Sequence, residues 1–94
     1  MFLDKYLNET KLKLLYNVYE EQYIKELDEE NFKNIYTIFK KYNFYFIDDI
    51  ILNYLEIFEK DPNYVEIKIL ELIKQLGEKY IYIIGNDMRY LENI

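Results

Sequence analysis

The chain contains no cysteine, histidine, tryptophan, serine or alanine. Without cysteine it has no disulfide framework and no sign of an oxidising compartment, so we expect a cytoplasmic location. A Ser-His-Asp triad, a Cys-His pair, a histidine general base and a cysteine or histidine zinc site each need a residue type that is missing. We therefore expect no enzymatic activity, no catalytic residues, no metal site and no cofactor.

Long apolar runs and basic residues are also scarce. No uninterrupted apolar stretch approaches the roughly 18 residues of a membrane span, and Asp4 and Asn8 interrupt the segment where an export signal would be apolar. Twelve Lys and Arg residues face 18 Asp and Glu residues, which gives a net charge of −6. This charge opposes direct binding to nucleic acid or anionic lipid and favours a basic protein partner.

The residues that are present predict a folded protein. Hydrophobic residues make up 51% of the 94 residues and aromatic residues 19%, enough for burial to offset the conformational entropy lost on folding. We predict a single helical domain over residues 1–94. Isoleucine, lysine, asparagine and tyrosine are the types that AT-rich codons encode, so twelve tyrosines are typical of compositional bias and do not by themselves indicate a base-stacking surface.

Apolar side chains recur at three- and four-residue spacings, which predicts a series of amphipathic helices. Asp28 and Asp61 are placed to cap helix N-termini, Asn43 and Gly77 to end helices in a left-handed conformation, and Gly85 to end a later helix. The predicted helices span residues 9–27, 29–42, 46–60, 62–76 and 79–84, with a short helical turn at 2–7 and a last short helix around 88–91.

Residues 80–84, YIYII, have strong strand propensity, and a ribbon pairing them with residues 44–47 would make the fold α+β. An offset of 34 residues, however, aligns residues 38–51 with 72–85, with Asn43 opposite Gly77. This spacing is typical of helix-pair repeats. We therefore predict an all-α fold, a small antiparallel helical bundle of about four to six helices, with helix-pair repeats as a further expectation.

Residues 65–92 resemble one unit of the mitochondrial transcription termination factor family, whose helical repeats have a leucine-glycine helix end followed by another apolar helix. The residues that carry the resemblance are Leu72, Leu76, Gly77, Ile81, Ile84 and Leu91. It implies helix pairs. The segment lacks the proline that the family usually has in the second helix and the basic surface that holds nucleic acid, so the resemblance implies no binding residues here.

Candidate partner-binding residues are of two kinds. Leu14 and Val18 lie outside the apolar stripe of the first helix, and two acidic clusters follow, Glu20-Glu21 and Asp28-Glu29-Glu30. Asp49 and Glu56 are predicted to share a solvated helix face. Asp61-Pro62-Asn63 is predicted to be a helix cap and not a calcium loop, because Glu66 stands where such a loop needs glycine.

Together these features predict a small acidic protein-interaction module that acts by occupying a partner surface. A sharper version is an inhibitor that mimics nucleic acid, of the phage or mobile-element anti-defence type, with a basic nucleic-acid-binding protein as its partner. The alternative is a structural or regulatory homo-oligomer without a ligand, in which Leu14, Val18 and exposed tyrosines form the interface.

Overall fold

The computed structural model describes residues 1–94. It is all-α, as predicted, and contains no strand. Its α-helices are α1 (Glu9–Val18), α2 (Glu21–Lys25), α3 (Glu29–Lys41), α4 (Ile47–Asn53), α5 (Pro62–Leu76) and α6 (Tyr80–Asn86). Short 3₁₀ segments span Phe2–Lys5, Leu55–Glu59, Gly77–Lys79 and Met88–Asn93.

The caps predicted at Asp28, Asp61 and Asn43 are confirmed. The Asp28 carboxylate accepts a hydrogen bond of 2.9 Å from the Asn31 amide, and Asp61 accepts one of 3.4 Å from Asn63. Asn43 has a φ of 67°, and the bonds Asn43 N–H to Lys40 O and Phe44 N–H to Phe39 O, both 3.0 Å, form a Schellman motif. Gly77 ends α5 with a positive φ of 77°, but its ψ of −160° lies outside the left-handed helical region, so that part of the prediction is wrong.

The single helix predicted over residues 9–27 is wrong, because the backbone is extended at Tyr19 and Glu20 between α1 and α2. Leu15 and Ile24 are both fully or nearly fully buried. They are nine residues apart, about two and a half helical turns, so one continuous helix would point them in opposite directions. The break turns α2 so that both side chains reach the core.

The helix predicted over residues 46–60 is also interrupted. It stops at Asn53, and the 3₁₀ segment Leu55–Glu59 follows, so Asp49 and Glu56 do not share one continuous helix face. The Leu55 amide donates to the Tyr19 Oη at 3.1 Å. The second break is therefore stabilised by a tyrosine from the first, and the two breaks meet in space.

Residues 80–84 are helical, within α6, and the alternative ribbon with residues 44–47 does not form. Gly85 does not end this helix as predicted; it lies inside α6, and the helix ends before Asp87. The glycine allows a close approach, because a Cβ at Gly85 would lie 3.2 Å from Tyr45 Oη and 3.3 Å from Phe46 Cε1. Asp87 caps the next segment and forms an ion pair at 2.8 Å with Arg89, the only arginine of the chain.

One hydrophobic cluster of 22 buried residues forms the core, and no polar side chain is buried. At its centre Phe58 stacks on Phe32, with ring centroids 4.6 Å apart, and Phe39 lies 5.7 Å from Phe58. Burying each such ring contributes about 1.5–3 kcal/mol. The core thus fixes the 3₁₀ segment Leu55–Glu59 against α3. No helix in the structure has the length and apolar character needed to cross a membrane.

Candidate functional site

The two apolar residues singled out from the sequence lie on the solvent side of α1. Leu14 is 49% exposed and Val18 is 63% exposed. They are one helical turn apart, so their side chains are neighbours on the same face. Large apolar groups in this position cost free energy of hydration unless a partner covers them.

The predicted acidic residues begin α2 and α3. Glu21 pairs with Lys25 at 2.9 Å, and Glu29 pairs with Lys5 at 3.7 Å. Asp28 is occupied in capping α3, whereas Glu20 and Glu30 have no ion-pair partner. Of these acids, only Glu20 lines a depression together with Val18.

That depression, of about 380 Å³, lies at the break between α1 and α2 and is open to solvent. Its lining is Val18, Tyr19, Glu20 and Tyr23. The Tyr19 and Tyr23 rings stack, with centroids 5.6 Å apart and planes inclined by 20°. The break between the helices therefore presents an aromatic and aliphatic floor with a carboxylate at its edge.

Two further carboxylates come from the 3₁₀ segment Leu55–Glu59. The Tyr19 Oη donates to Glu56 Oε2 at 3.0 Å, and the Tyr23 Oη donates to Glu59 Oε2. These bonds hold two carboxylates beside the stacked rings. We call the whole assembly the tyrosine–glutamate surface, which comprises Val18, Tyr19, Glu20, Tyr23, Glu56 and Glu59.

The pKa values of the two phenols are raised by burial and by the neighbouring carboxylates. Burial, together with the hydrogen-bonded Glu59, raises the pKa of Tyr23 well above its usual range. Burial also raises the pKa of Tyr19, and Glu56 adds to this rise. A phenol with a raised pKa stays protonated at neutral pH, so each remains a hydrogen-bond donor to its glutamate.

The charge of this surface is not neutralised from within the chain. Eight ion pairs form elsewhere, and none of them includes Glu20, Glu56 or Glu59. Three carboxylates without an ion-pair partner therefore belong to this surface: Glu20 lines the depression, and Glu56 and Glu59 accept hydrogen bonds from the two tyrosines that line it. Such a surface attracts cationic groups and offers them a weakly hydrated contact.

Sequence reasoning missed four of the six residues. Tyr19 and Tyr23 fit the apolar spacing of the first predicted helix, and Glu56 is predicted to lie on a solvated helix face. Tyr19 and Glu56 are 37 positions apart, so no local pattern connects them. The only available signal was the four-residue spacing of the two tyrosines, which places their rings side by side.

A second exposed apolar pair was also missed. Ile67 and Leu70 on α5 are 56% and 46% exposed, and Tyr64 beside them is 40% exposed. The sequence does indicate this pair, because Ile67 and Leu70 do not fit the helical spacing of the buried residues Val65 and Ile69. No group of three or more acidic side chains is arranged to hold a metal ion.

Comparison of the chain with protein-family models, with curated proteins and with solved structures finds no match. The resemblance of residues 65–92 to the mitochondrial transcription termination factor repeat stays a prediction and contributes no residue to the site.

Proposed function

We propose that this protein is an acidic interaction module that occupies the basic surface of a partner protein. The observation that carries the proposal is the tyrosine–glutamate surface. Its three glutamates, Glu20, Glu56 and Glu59, form no ion pair within the chain, and the apolar side chain of Val18 beside them is exposed. A charged rim around an apolar centre is the usual composition of a protein interface. Leu14 extends the apolar part by one helical turn.

The sharper form of the proposal is an inhibitor that mimics nucleic acid. Glu56 and Glu59 are held in place by tyrosine hydroxyls, so they bind a cationic surface with less loss of side-chain entropy than freely rotating glutamates. Fixed negative charges can then take positions that a basic channel offers to phosphates. The start of α3 carries three further acidic residues, Asp28, Glu29 and Glu30, of which Glu29 is paired with Lys5.

The test is affinity capture from cell lysate with the immobilised protein, followed by mass spectrometry. The column is eluted first with a duplex DNA oligonucleotide at low salt and then with a salt gradient. We expect basic nucleic-acid-binding proteins to be released by the DNA or at moderate salt, because attraction between opposite charges is screened by salt.

Two variants of equal charge make the test specific. One carries Glu20→Gln, Glu56→Gln and Glu59→Gln; the other carries Glu9→Gln, Glu71→Gln and Glu78→Gln, three exposed acids outside the tyrosine–glutamate surface. The first variant should lose the captured proteins and the second should retain them. Equal capture by both variants, or retention that does not change with salt, would refute the proposal.

The exposed residues Ile67 and Leu70 favour the second candidate, a homo-oligomer, because they give the chain another uncovered apolar face. In this alternative, copies associate through α5 or through Leu14 and Val18. Light scattering at increasing concentration distinguishes the two functions. A mass that doubles in the unmodified protein and stays monomeric in Ile67→Gln, Leu70→Gln supports the oligomer; a monomer at millimolar concentration excludes it.

A further inference from the structure

The tyrosine–glutamate surface combines three features, and few chemical groups of a partner protein can contact all three at once. The paired rings of Tyr19 and Tyr23 provide a flat aromatic contact, and Val18, 63% exposed, provides an aliphatic one. Glu20, Glu56 and Glu59 supply negative charge at the edges. A ligand that matches all three is flat, cationic and carried on an apolar stem.

Among protein side chains, arginine fits this description. Its guanidinium is planar, stacks on aromatic faces and is more weakly hydrated than an ammonium group. Its methylene stem can pack on an aliphatic side chain such as Val18. Lysine has the stem and the charge but lacks the planar group, so it gains less from stacked tyrosines.

The carboxylates also suit a guanidinium. Each tyrosine hydroxyl engages only the Oε2 atom of its glutamate, which leaves Oε1 of Glu56 and Oε1 of Glu59 without a hydrogen bond. A guanidinium offers five N–H donors in a fixed fork and can reach more than one acceptor at a time. A bare divalent cation would instead need converging oxygen ligands, and no such group is present.

Building on the proposed function, we propose that the tyrosine–glutamate surface binds an arginine side chain in a basic segment of the partner protein, stacked on an outer face of the Tyr19–Tyr23 pair and paired with the glutamates of this surface. This explains why the surface is both aromatic and acidic. Arginine is among the residues that contribute most to binding at protein interfaces. The tyrosine–glutamate surface therefore binds arginine-rich segments in preference to lysine-rich ones.

The chain contains only two valines, and they provide a built-in probe. Val18 lines the depression, while Val65 is fully buried in the core. Protein labelled with ¹³C in the valine methyl groups is titrated at low salt with a glycine–arginine hexapeptide, and in parallel with its glycine–lysine counterpart. We expect a saturable shift of the Val18 methyl signals with the arginine peptide, no shift of Val65, and at least about fivefold weaker binding of the lysine peptide.

Charge variants test the role of the glutamates. Replacing Glu20 and Glu59 by glutamine should weaken binding of the arginine peptide about tenfold, because two ionic contacts are lost. Glu78→Gln together with Glu71→Gln removes the same charge from α5 and the segment after it, and should change the affinity less than about twofold. An unchanged Val65 signal in each variant verifies that the core has remained folded.

The outcomes separate the inference from the proposed function. The inference that the tyrosine–glutamate surface binds arginine would be overturned by equal affinity for the two peptides, by absence of a Val18 shift, or by equal weakening in both variants. If basic proteins are nevertheless captured from lysate, and are lost in the triple glutamine variant, the proposed function remains supported although the surface does not select arginine. If capture also fails, both are refuted.

Discussion

At the scale of single residues, Asn43 and Gly77 show how similar positions tolerate different side chains. Both have a positive φ, of 67° and 77°. Asn43 closes a Schellman motif in which Phe44 packs edge-on against Phe39 at 5.1 Å. Gly77 has a ψ of −160°, a region that is open essentially only to glycine. The alignment at an offset of 34 residues thus pairs two helix ends that differ in backbone geometry.

We predict opposite effects when these residues are exchanged. Asn43→Gly should raise the free energy of unfolding by a few tenths of a kcal/mol, up to about 1 kcal/mol, because glycine adopts a left-handed conformation without steric cost. Gly77→Asn should lower it by about 1–3 kcal/mol, because asparagine is strained at that ψ. Urea denaturation followed by circular dichroism measures both. Equal tolerance of the two substitutions would contradict this account.

At the scale of helices, local chemistry and tertiary packing divide what the sequence can predict. The caps at Asp28, Asp61 and Asn43 could be predicted because each depends on residues within one or two turns. The breaks at Tyr19 and Tyr54 could not be predicted, because each depends on tertiary contacts. The first break lets both Leu15 and Ile24 reach the core, and the second places the Leu55 amide against Tyr19 Oη.

The candidate surface follows the same division. Its exposed members Val18 and Glu20 could be predicted from composition and phase, since neither depends on a partner elsewhere in the chain. Glu59 could not, because it reaches Tyr23 from 36 positions away through the hydrogen bond between them. The tyrosine–glutamate surface forms where the two breaks meet, so only the fold reveals it.

The break between α1 and α2 predicts an unusual tolerance for proline. Glu20 has a φ of −65°, its N–H donates no hydrogen bond, and Tyr19 before it is extended, with a ψ of 145°. All three conditions suit proline. Glu20→Pro should therefore raise the free energy of unfolding by about 0.4–1 kcal/mol, by restricting the unfolded chain.

A continuous helix over residues 9–27 predicts the reverse, a loss of about 3 kcal/mol, since proline in a helix interior removes a hydrogen bond and clashes with the preceding turn. Thermal unfolding of Glu20→Pro decides between them. Glu20→Gln is the control, because it removes the same charge while leaving the backbone free. A melting temperature well below that of Glu20→Gln would contradict the observed break.

At the scale of the whole molecule, tyrosines connect distant segments through carboxylates and backbone groups. Tyr19 and Tyr23 reach the 3₁₀ segment Leu55–Glu59, and Tyr42 donates to Glu66 of α5 at 2.6 Å. Burial raises the pKa of most of these phenols, and for Tyr42 the hydrogen bond to Glu66 is the main cause. The phenols with a raised pKa are Tyr19, Tyr23, Tyr36, Tyr42 and Tyr54.

These shifts predict that alkali destabilises the protein. A phenol whose pKa is higher in the folded state than in the unfolded state, where it is about 10, gives its full stabilisation below pH 10 and loses it as the pH rises through the folded value. Lys11, whose pKa is raised by its hydrogen bond to Asp48, changes stability in the same direction. We therefore expect the free energy of unfolding to be constant between pH 7 and about 9 and to fall steeply above about 10.

Urea denaturation at a series of pH values, with tyrosinate absorbance recorded in parallel, measures this fall. Tyr23→Phe keeps the ring but removes one proton whose release is coupled to unfolding, so it should make the fall above pH 10 less steep. Tyr82→Phe is the matched control: its ring is 71% exposed and its hydroxyl donates no hydrogen bond, so the steepness should stay unchanged. Equal slopes in the two variants would show that the Tyr23–Glu59 bond does not connect α2 to the 3₁₀ segment in solution, and Glu59 would lose the constraint that positions it in the tyrosine–glutamate surface.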